Sequence, residues 1–288
     1  MRKFTLSFFL LSCIAVFTGC GRDDSSYFDA SKEISVVSRE EGSGTRGAFV
    51  ELLGVRVKGK DGSEKDMTTK EAFVAKQTDV VMTNISGDRY AIGYISMGSM
   101  NDTVKSVAID GATASADSVK SGDYPLSRPF YLATQSKISD LARDFMDFII
   151  SYEGQAVVGE SYVPIDENAA YYSGKKPAGR IVVAGSSSVT PVMESLKEAY
   201  IAVNPAAVIE IQQSDSSAGM VSAMEGTCDI GMTSRELKEG EIAKLTPTQI
   251  AVDAITVIVN RGNPVEELTS EQVKDMFTGE IMTWNSVL

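Results

Sequence analysis

Three short loops rich in serine, threonine and glycine hold the side chains with the clearest chemical potential. They are Gly42-Ser43-Gly44-Thr45, Gly185-Ser186-Ser187-Ser188-Val189-Thr190-Pro191 and Ser214-Asp215-Ser216-Ser217-Ala218-Gly219. Each follows an apolar run and precedes a helical pattern. A hydroxyl at a helix start is by itself most often a cap. Three such starts at strand ends would combine hydroxyls with unpaired backbone N–H groups and a partial positive charge, which suits a small tetrahedral oxyanion.

Several other chemistries are excluded by residue types and spacing. The chain has no histidine, so a Ser-His-Asp triad, a Cys-His pair and a His-ligated zinc are all impossible. None of the three loops matches the nucleotide P-loop, and the first lacks the Gly-x-Ser-x-Gly elbow of hydrolases. The acidic segment 59–66 lacks the spacing of a calcium loop and is interpreted as a solvated turn. The sequence therefore favours a binding protein over an enzyme, with no metal and no cofactor.

The net charge limits the partners. The chain carries 39 acidic and 27 basic residues in 288, a formal charge of −12. Nucleic-acid binding requires clustered basic residues, so no nucleic-acid partner is expected. A small buried oxyanion can still be held by fixed dipoles and one cation.

The first residues have the pattern of an export signal. Arg2 and Lys3 precede an apolar run from Phe4 to Phe17, and the segment ends at Cys20. Phe17-Thr18-Gly19-Cys20 resembles a bacterial lipobox, which predicts a signal peptide over 1–19, a lipid on Cys20 and a tether over 20–31. An ordinary secretory signal with a chance cysteine is the alternative.

Removal of residues 1–19 would change the net charge to −14, because that segment carries two basic and no acidic residues. Cys13 would leave with the signal. With Cys20 lipidated, only Cys228 remains, so no intramolecular disulfide is expected, and Cys228 is predicted to be a buried small hydrophobe.

Short β-branched runs alternate with helical patterns, which predicts an α/β fold. Ser139 and Pro191 are expected to begin helices, and residues 172–179 are interpreted as a linker because they are polar and contain Gly and Pro. The candidate strands are Ile34 to Val37, Tyr90 to Ile95, Val104 to Ile109, Phe130 to Ala133, Ile181 to Ala184, Val208 to Gln212, Ile230 to Met232 and Ile255 to Val259.

Five motifs together resemble the PstS family, the phosphate-binding proteins of the bacterial phosphate ABC transporter. They are Ser38 to Arg46, Gly122 to Pro129, Gly185 to Pro191, Asp229 to Arg235 and Phe277 to Trp284. The resemblance extends from about Glu33 to Leu288, but the order is unusual. The part similar to the family's end, around Phe148 to Ile165, precedes the part similar to its beginning. The sequence therefore resembles a circular permutant, with 172–179 as the new junction.

The resemblance implies a periplasmic-binding-protein-like fold, type II-like, in which two α/β lobes joined by a hinge close on a ligand cleft. Carried onto this order, 128–260 would form a continuous lobe. Residues 32–127 and 261–288 would form the other, built from both chain ends.

The resemblance also implies roles for individual residues. Arg39 would be the only cation at the ligand, oriented by Glu41, with Ser234 at the position where many relatives have an aspartate that accepts the proton of hydrogen phosphate. Asp215 or Glu41 could replace that acceptor, and Arg235 is expected to face solvent. The remaining ligand-binding residues implied by the resemblance are Ser43, Gly44, Thr45, Ser187, Ser188, Val189 and Ser216.

These expectations describe a lipid-anchored, extracytoplasmic and monomeric receptor in the bacterial cell envelope. It would capture inorganic phosphate and deliver it to the permease subunits of an ABC transporter. Three alternatives stay open: a receptor or sensor for another oxyanion such as sulfate, a histidine-free surface hydrolase, and a surface lipoprotein that has lost its site.

Overall fold

The computed structural model describes residues 28–59 and 62–288. The predicted signal peptide, the lipobox cysteine Cys20 and most of the tether lie outside these residues. No helix in the described part is long and apolar enough to cross a membrane.

Strands and helices alternate along most of the described chain. The strands are β1 Ser35–Arg39, β2 Arg56–Lys58, β3 Glu64–Asp66, β4 Phe73–Ala75, β5 Ala91–Ser96, β6 Val104–Ser106, β7 Ala108–Ile109, β8 Ser127–Thr134, β9 Val163–Pro164, β10 Gly179–Ser186, β11 Ala207–Ser214, β12 Ile230–Thr233, β13 Thr246–Asn260 and β14 Glu267–Leu268.

Serine, threonine or aspartate side chains cap many of the helix starts, as their short oxygens accept from the first turn. The helices are α1 Gly44–Leu52, α2 Thr78–Gly87, α3 Ala116–Ser121, α4 Asp140–Ile149, α5 Tyr152–Val158, α6 Thr190–Val203, α7 Ser216–Glu225, α8 Glu239–Ile242 and α9 Ser270–Thr278, with 3-10 turns at Met97–Ser99 and Trp284–Ser286.

One long strand joins two halves of a mixed sheet whose order is β11-β10-β12-β8-β13-β5-β1-β4. Up to Ala254, β13 pairs antiparallel with β8, and from Ile255 it pairs antiparallel with β5. On one side β10, β11 and β12 are parallel, and on the other β1, β4 and β5 are parallel. The carboxyl ends of parallel strands, where open α/β sheets bind ligands, therefore occur in both halves.

Each half-sheet has its own hydrophobic core, so the chain forms two lobes. One core contains Phe130, Phe145 and Leu196, and the other contains Phe49 and Trp284. Smaller buried clusters lie under α2 in one half and α7 in the other, and helices thus cover both faces of each half-sheet. The α/β class and the two-lobed architecture predicted from the sequence are confirmed.

The predicted strands are present, most of them with ends shifted by about one to three residues, and two differ by more. Ile255 to Val259 is only the second part of β13, because the polar start of this strand gave no apolar signal. Val104 to Ile109 is wrong as a single strand: it divides at Val107, since β6 pairs with β13 whereas β7 pairs with β14. Both predicted helices form, and residues 171–178 contain neither helix nor strand.

The described N-terminal residues pair with the C-terminal segment. The amide of Ile34 donates to the Met282 carbonyl at 2.8 Å, and the amide of Asn285 donates to the Ala30 carbonyl at 2.8 Å. Residues near the two ends of the chain are therefore neighbours in one lobe.

Candidate anion-binding site

The three hydroxyl-rich loops meet between the lobes. Each begins at the carboxyl end of a parallel strand: β1 ends at Arg39, β10 at Ser186 and β11 at Ser214. Helices α1, α6 and α7 start directly after them, so their first amides face the same region. We define the hydroxyl cluster by its members, which are Thr45, Thr78, Ser186, Ser187, Ser188, Ser216 and Ser234; all seven are buried.

Hydrogen bonds connect the cluster across the two lobes. Thr45 Oγ1 lies 2.8 Å from Ser188 Oγ, and Thr78 Oγ1 lies 3.2 Å from Ser187 Oγ. The Ser217 amide donates to the Gly42 carbonyl at 3.2 Å. The lobes thus approach within hydrogen-bond distance at the predicted loops.

Gly44 makes this approach possible. A Cβ atom at this position would lie 2.5 Å from Ser216 Oγ and 2.6 Å from Ser234 Oγ, well inside van der Waals contact. The neighbouring Ser43 caps α1, because its hydroxyl accepts from the Arg46 amide. Sequence reasoning expected both residues to bind the ligand directly; the geometry adds that Gly44 also lets the lobes close.

Arg39 is the buried cation of the cluster. Its Nη2 donates to Ser187 Oγ at 3.1 Å, and its Nη1 lies 3.4 Å from Thr78 Oγ1. Glu40 holds the guanidinium in a bidentate pair, with Nε and Nη2 donating to the two carboxylate oxygens at 2.9 and 2.8 Å. The expectation that Glu41 orients Arg39 is wrong: Glu41 is exposed at the cleft mouth.

Ser234, at the position where the family resemblance implies an aspartate in many relatives, lies inside the hydroxyl cluster. Its hydroxyl accepts from Ser186 Oγ at 3.0 Å and lies 3.4 Å from Ser216 Oγ, while its amide donates to Ser216 Oγ at 3.2 Å. Asp215 caps α7 through the Ala218 amide and has no hydrogen bond to the cluster in the described residues. Neither Asp215 nor Glu41 therefore replaces the missing acceptor in this arrangement.

Two further expectations are modified by the structure. The Val189 amide already donates to the Ser186 carbonyl at 3.0 Å, so it does not project into the cluster as a free donor. Arg235 does not face solvent. It forms a bidentate pair with Glu241 at 2.9 Å for both contacts, and only 13% of its side chain is exposed.

Thr78 was not recognised from the sequence. It is the first residue of α2, after the short strand β4, and so repeats the strand-loop-helix pattern of the other loops. The signal was weak because β4 has three residues, two of them exposed, and no apolar run announced it.

A buried ion pair beside the cluster was also not predicted. Arg128 Nε and Nη2 both donate to Asp253 Oδ2, at 3.1 and 2.9 Å, and Arg128 Nη1 donates to the Ser234 carbonyl at 3.3 Å. Arg39 is therefore not the only arginine next to the candidate site. Burial raises the pKa of Asp253 to about 6, against the opposing effect of Arg128.

Tyr94, a core residue, is hydrogen-bonded to the end of β1 that carries Arg39. Tyr94 stacks on Phe49 with ring centroids 3.8 Å apart, and its hydroxyl lies 2.8 Å from Ser38 Oγ and accepts from the Arg39 amide. Burial raises the pKa of Tyr94, so this hydroxyl stays protonated at neutral pH.

Among residues 28–59 and 62–288, no group of three or more cysteine, aspartate and glutamate side chains is placed to hold a metal ion. Cys228 is buried, as predicted, and burial raises the pKa of its thiol to about 11.

Comparison with known proteins gives the same family that the motifs resemble. The profile of the PBP superfamily domain matches residues 24–153 and 171–288. Phosphate-binding protein PstS 2 of Streptococcus agalactiae is 49% identical over 277 residues, which cover 95% of this chain and 94% of that protein. Phosphate-binding protein PstS of Staphylococcus haemolyticus is 36% identical, over 111 residues that cover 36% of this chain and 35% of that protein.

A solved structure extends the comparison to the fold. The crystal structure of the phosphate-binding protein of a phosphate ABC transporter from Streptococcus pneumoniae is 42% identical and superposes with a TM-score of 0.70. It covers 89% of this chain and 100% of that chain. By sequence identity over nearly the whole length and by fold, the chain belongs to the PstS family of phosphate-binding proteins, within the PBP superfamily.

Proposed function

We propose that this protein is an extracytoplasmic receptor that captures inorganic phosphate between its two lobes and delivers it to the permease of an ABC transporter. The observation that carries the proposal is the convergence of hydroxyls from both lobes, at the starts of four helices, around the buried guanidinium of Arg39. The names of the relatives from S. agalactiae and S. pneumoniae support the same ligand.

Capture would exchange one set of hydrogen bonds for another. The contacts that now join Thr45 to Ser188 and Arg39 to Ser187 would turn toward the oxyanion, and the first amides of α1 and α7 would donate to it. Hydrogen bonds to charged groups contribute about 1.5–3 kcal/mol each. Micromolar binding requires about 8 kcal/mol, so a small number of such donors suffices after the costs of closure.

The ligand-binding residues proposed are those expected from the sequence, extended by Thr78. Val189 stays among the proposed ligand-binding residues because it lies in the same loop as Ser187 and Ser188. Its amide would have to break its hydrogen bond to the Ser186 carbonyl before it could donate to the ligand. Ser43 acts through its cap on α1, which fixes the orientation of the amides of Gly44 and Thr45.

The residue at position 234 affects the selectivity between phosphate and sulfate. A carboxylate at this position would repel sulfate, which has no proton to donate to it. A serine hydroxyl both donates and accepts, so it accommodates either anion. The structure therefore favours weak discrimination, with phosphate, arsenate and sulfate all entering the site.

Calorimetric titration of ligand-stripped protein with phosphate, arsenate and sulfate tests the proposal. We expect phosphate binding that weakens about 100-fold in Arg39→Ala, from the loss of about 3 kcal/mol of charge-assisted hydrogen bonding. Arg235→Ala is the matched control, because Arg235 is another ion-paired arginine at the cleft, with 13% of its side chain exposed, and it does not contact the cluster hydroxyls in the described residues. The phosphate affinity of Arg235→Ala should stay near that of the wild type. Absence of phosphate binding in the wild type would refute the function, and equal affinities for Arg39→Ala and wild type would refute the site.

The proposal includes binding without chemistry. The described site holds hydroxyls and the guanidinium of Arg39, whose carboxylate partner Glu40 is hydrogen-bonded to the arginine itself. Within the described residues, no carboxylate is hydrogen-bonded to a cluster hydroxyl. Incubation with a phosphomonoester and measurement of released phosphate tests this. Turnover above background that is lost in Arg39→Ala would instead support a hydrolase.

We also propose that Cys20 is lipidated after removal of residues 1–19, which would place the protein at the outer face of the cell membrane as a monomer. Mass spectrometry of the protein from membranes, compared with Cys20→Ala, tests the lipid. Recovery of Cys20→Ala in the membrane fraction to the same extent would contradict the anchor.

We propose that the segment order is a circular permutation of the order in other PstS proteins. The S. agalactiae relative aligns along nearly its whole length and so shares this order, whereas the S. haemolyticus relative aligns over 111 residues only, as expected when an alignment meets a permuted junction. The lobes would then be 128–260 and the combination of 32–127 with 261–288. Ile34 is hydrogen-bonded to Met282, so a short peptide can join the C-terminal segment to the segment that begins near Glu33, two segments that would be continuous in the unpermuted order.

A rewired chain tests the permutation. It joins Leu288 to Glu33, omits 1–32 and opens within 172–178, where the structure has neither helix nor strand. We expect it to fold and bind phosphate with an affinity close to that of the wild type. A rewired chain that folds but does not bind would contradict the permuted interpretation.

A further inference from the structure

Arg128 belongs to a sequence motif, Gly122 to Pro129, that the proposed phosphate site does not use. In the structure it lies on β8 directly opposite Asp253 on β13. Both side chains are almost completely buried, with exposed side-chain fractions of 2% and 0%. A buried ion pair does not by itself stabilise a protein, because desolvation offsets the attraction. Its position therefore calls for another explanation.

The pair lies where the sheet passes from one lobe to the other. Asp253 is two residues before Ile255, at which β13 changes its partner from β8 to β5. Asp253 Oδ1 accepts from Ser96 Oγ at 2.8 Å and from the Met97 amide at 3.1 Å, at the end of β5. One carboxylate thus connects β13, on which it lies, and β8, through Arg128, to the end of β5 in the opposite lobe.

The other side of the pair reaches the candidate site. Arg128 Nη1 donates to the carbonyl oxygen of Ser234 at 3.3 Å, while its remaining nitrogens are used by Asp253. The hydroxyl of that same Ser234 contacts Ser186 and Ser216 in the cluster. An uninterrupted series of hydrogen bonds therefore runs from Ser96, through Asp253 and Arg128, to the loop that carries Ser234.

We propose that Arg128 and Asp253 are positioning residues that couple the arrangement of β8 and β13 at the lobe junction to the Ser234 loop, and so set the geometry of the oxyanion site in the closed protein. Within the described residues, neither side chain is hydrogen-bonded to a cluster hydroxyl. Their effect on the ligand is exerted through the backbone of Ser234. This inference rests on the proposed phosphate site.

The charged and titratable surroundings of the pair are compatible with that role. Arg39, Tyr124 and Tyr162 lie near enough to interact electrostatically with one or other member. Burial raises the pKa of both tyrosines, so they remain neutral. The Asp253 carboxylate is then the anion that balances Arg128 next to the site.

The experiment compares phosphate affinity with stability in three variants. Arg128→Met removes the donor to Ser234 and leaves Asp253 unpaired. Arg128→Met combined with Asp253→Asn removes both charges, and the asparagine oxygen can still accept from Ser96 and Met97. Arg128→Lys keeps the charge, but its single ammonium cannot reproduce the planar fork that spans Asp253 and Ser234.

We expect the dissociation constant for phosphate to rise about tenfold or more in Arg128→Met, the fold-change that corresponds to one lost hydrogen bond in the site. The double variant should regain much of the melting temperature, because no buried charge is left unpaired, yet keep the weakened binding. Arg128→Lys should bind with intermediate affinity.

Asp144→Asn is a control that should reduce stability without changing any contact that leads to the candidate site. Asp144 is also buried, in the same lobe, and it accepts from Tyr172 and Tyr200 rather than from cluster residues. We expect it to lower the melting temperature and leave phosphate affinity unchanged.

The outcomes separate this inference from the proposed function. A double variant with restored stability and wild-type affinity would mean that the pair only balances charge, and would overturn the inference. If Arg128→Met does not fold, the double variant and Arg128→Lys carry the test. Wild-type phosphate affinity in both of these variants would also overturn the inference. Failure of the wild type itself to bind phosphate would refute the proposed function, and this inference with it.

Discussion

Protonation of Asp253 provides a direct measurement of how burial and pairing compete at the lobe junction. Burial raises the pKa of this carboxyl from 3.8 to about 6, and the opposing contributions of Arg128, Ser96 and the Met97 amide do not compensate for it. The folded protein therefore binds a proton at a higher pH than the unfolded chain does. It follows that stability from this group is present at low pH and is lost as the pH rises through about 6.

The size of the effect follows from the shift. At pH 5, one unit below the folded pKa, the group contributes about 1 kcal/mol relative to pH 7.5. For a chain of this size that corresponds to about 2–4 °C in melting temperature. The range from pH 5 to 7.5 isolates this carboxyl unusually well, since the chain has no histidine to titrate there.

Carboxyls with lowered pKa values do not interfere in this range. Asp66, Asp144 and Glu241 have pKa values held down by hydrogen bonds and, for Asp66 and Glu241, by an arginine, although burial alone would raise them. Their stabilising contributions are present above their unfolded pKa values of about 4 to 4.5 and are lost only as the pH falls below them.

Calorimetric or fluorescence melting in phosphate-free buffer at pH 5, 6 and 7.5 measures the effect. Wild type should gain stability on acidification relative to Asp253→Asn, whose side chain cannot titrate. The difference between the two pH slopes removes the general response of the acidic surface. Equal slopes for the two proteins would refute the reasoning, as would an Asp253 carboxyl carbon that titrates in NMR with a midpoint below about 4.5.

Three further outcomes are expected from single substitutions. Gly44→Ala places a Cβ 2.5 Å from a serine hydroxyl of the opposite lobe and should weaken phosphate binding about 100-fold by calorimetry, from a few kcal/mol of overpacking. Gly47 lies on the same helix, and a Cβ there would have its nearest neighbour at 3.9 Å, so Gly47→Ala should bind phosphate like the wild type. Equal phosphate affinities for Gly44→Ala and Gly47→Ala would contradict the closed geometry. Thr78→Val should raise the dissociation constant about five- to tenfold by removing one hydroxyl from the cluster; an unchanged constant would exclude Thr78 from the site. Asp144→Asn should lower the unfolding free energy in urea by about 2 kcal/mol, because two tyrosine hydroxyls lose a charged acceptor, and an unchanged midpoint would contradict this role.

The candidate site illustrates which features can be read along the chain. The loops containing Thr45, Ser188 and Ser216 were found because each combines small polar residues with a strand before and a helix after it. Thr78 has the same local arrangement but follows a three-residue strand with two exposed side chains, so no apolar run marked it.

Charge partners were harder to predict than donors. Glu40 and Glu41 are adjacent in sequence, and only the direction in which β1 ends determines that Glu40 pairs with Arg39 while Glu41 is exposed. Arg235 was expected in solvent, yet α8 brings Glu241 to it. Side-chain pairing depends on distances between separate elements, and local composition does not contain those distances.

The sequence by itself determined the class of chemistry and of fold. The absence of histidine excluded the commonest catalytic and metal sites, and the alternation of apolar runs with capped helices indicated an α/β protein with donors at helix starts. These properties depend on residue types and short spacings, which secondary structure converts directly into local geometry.

Only the tertiary structure decided which groups meet. It brought hydroxyls more than 100 positions apart to within hydrogen-bond distance, assigned Glu40 to Arg39, and placed Arg128 and Asp253 under the Ser234 loop at the lobe junction. The physical reason is that these contacts depend on the relative positions of separate elements and, for Glu40, on the direction in which β1 ends; at the lobe junction those positions follow from the register of β13, which pairs with β8 in one lobe and β5 in the other. A register of that kind results from the packing of both cores together.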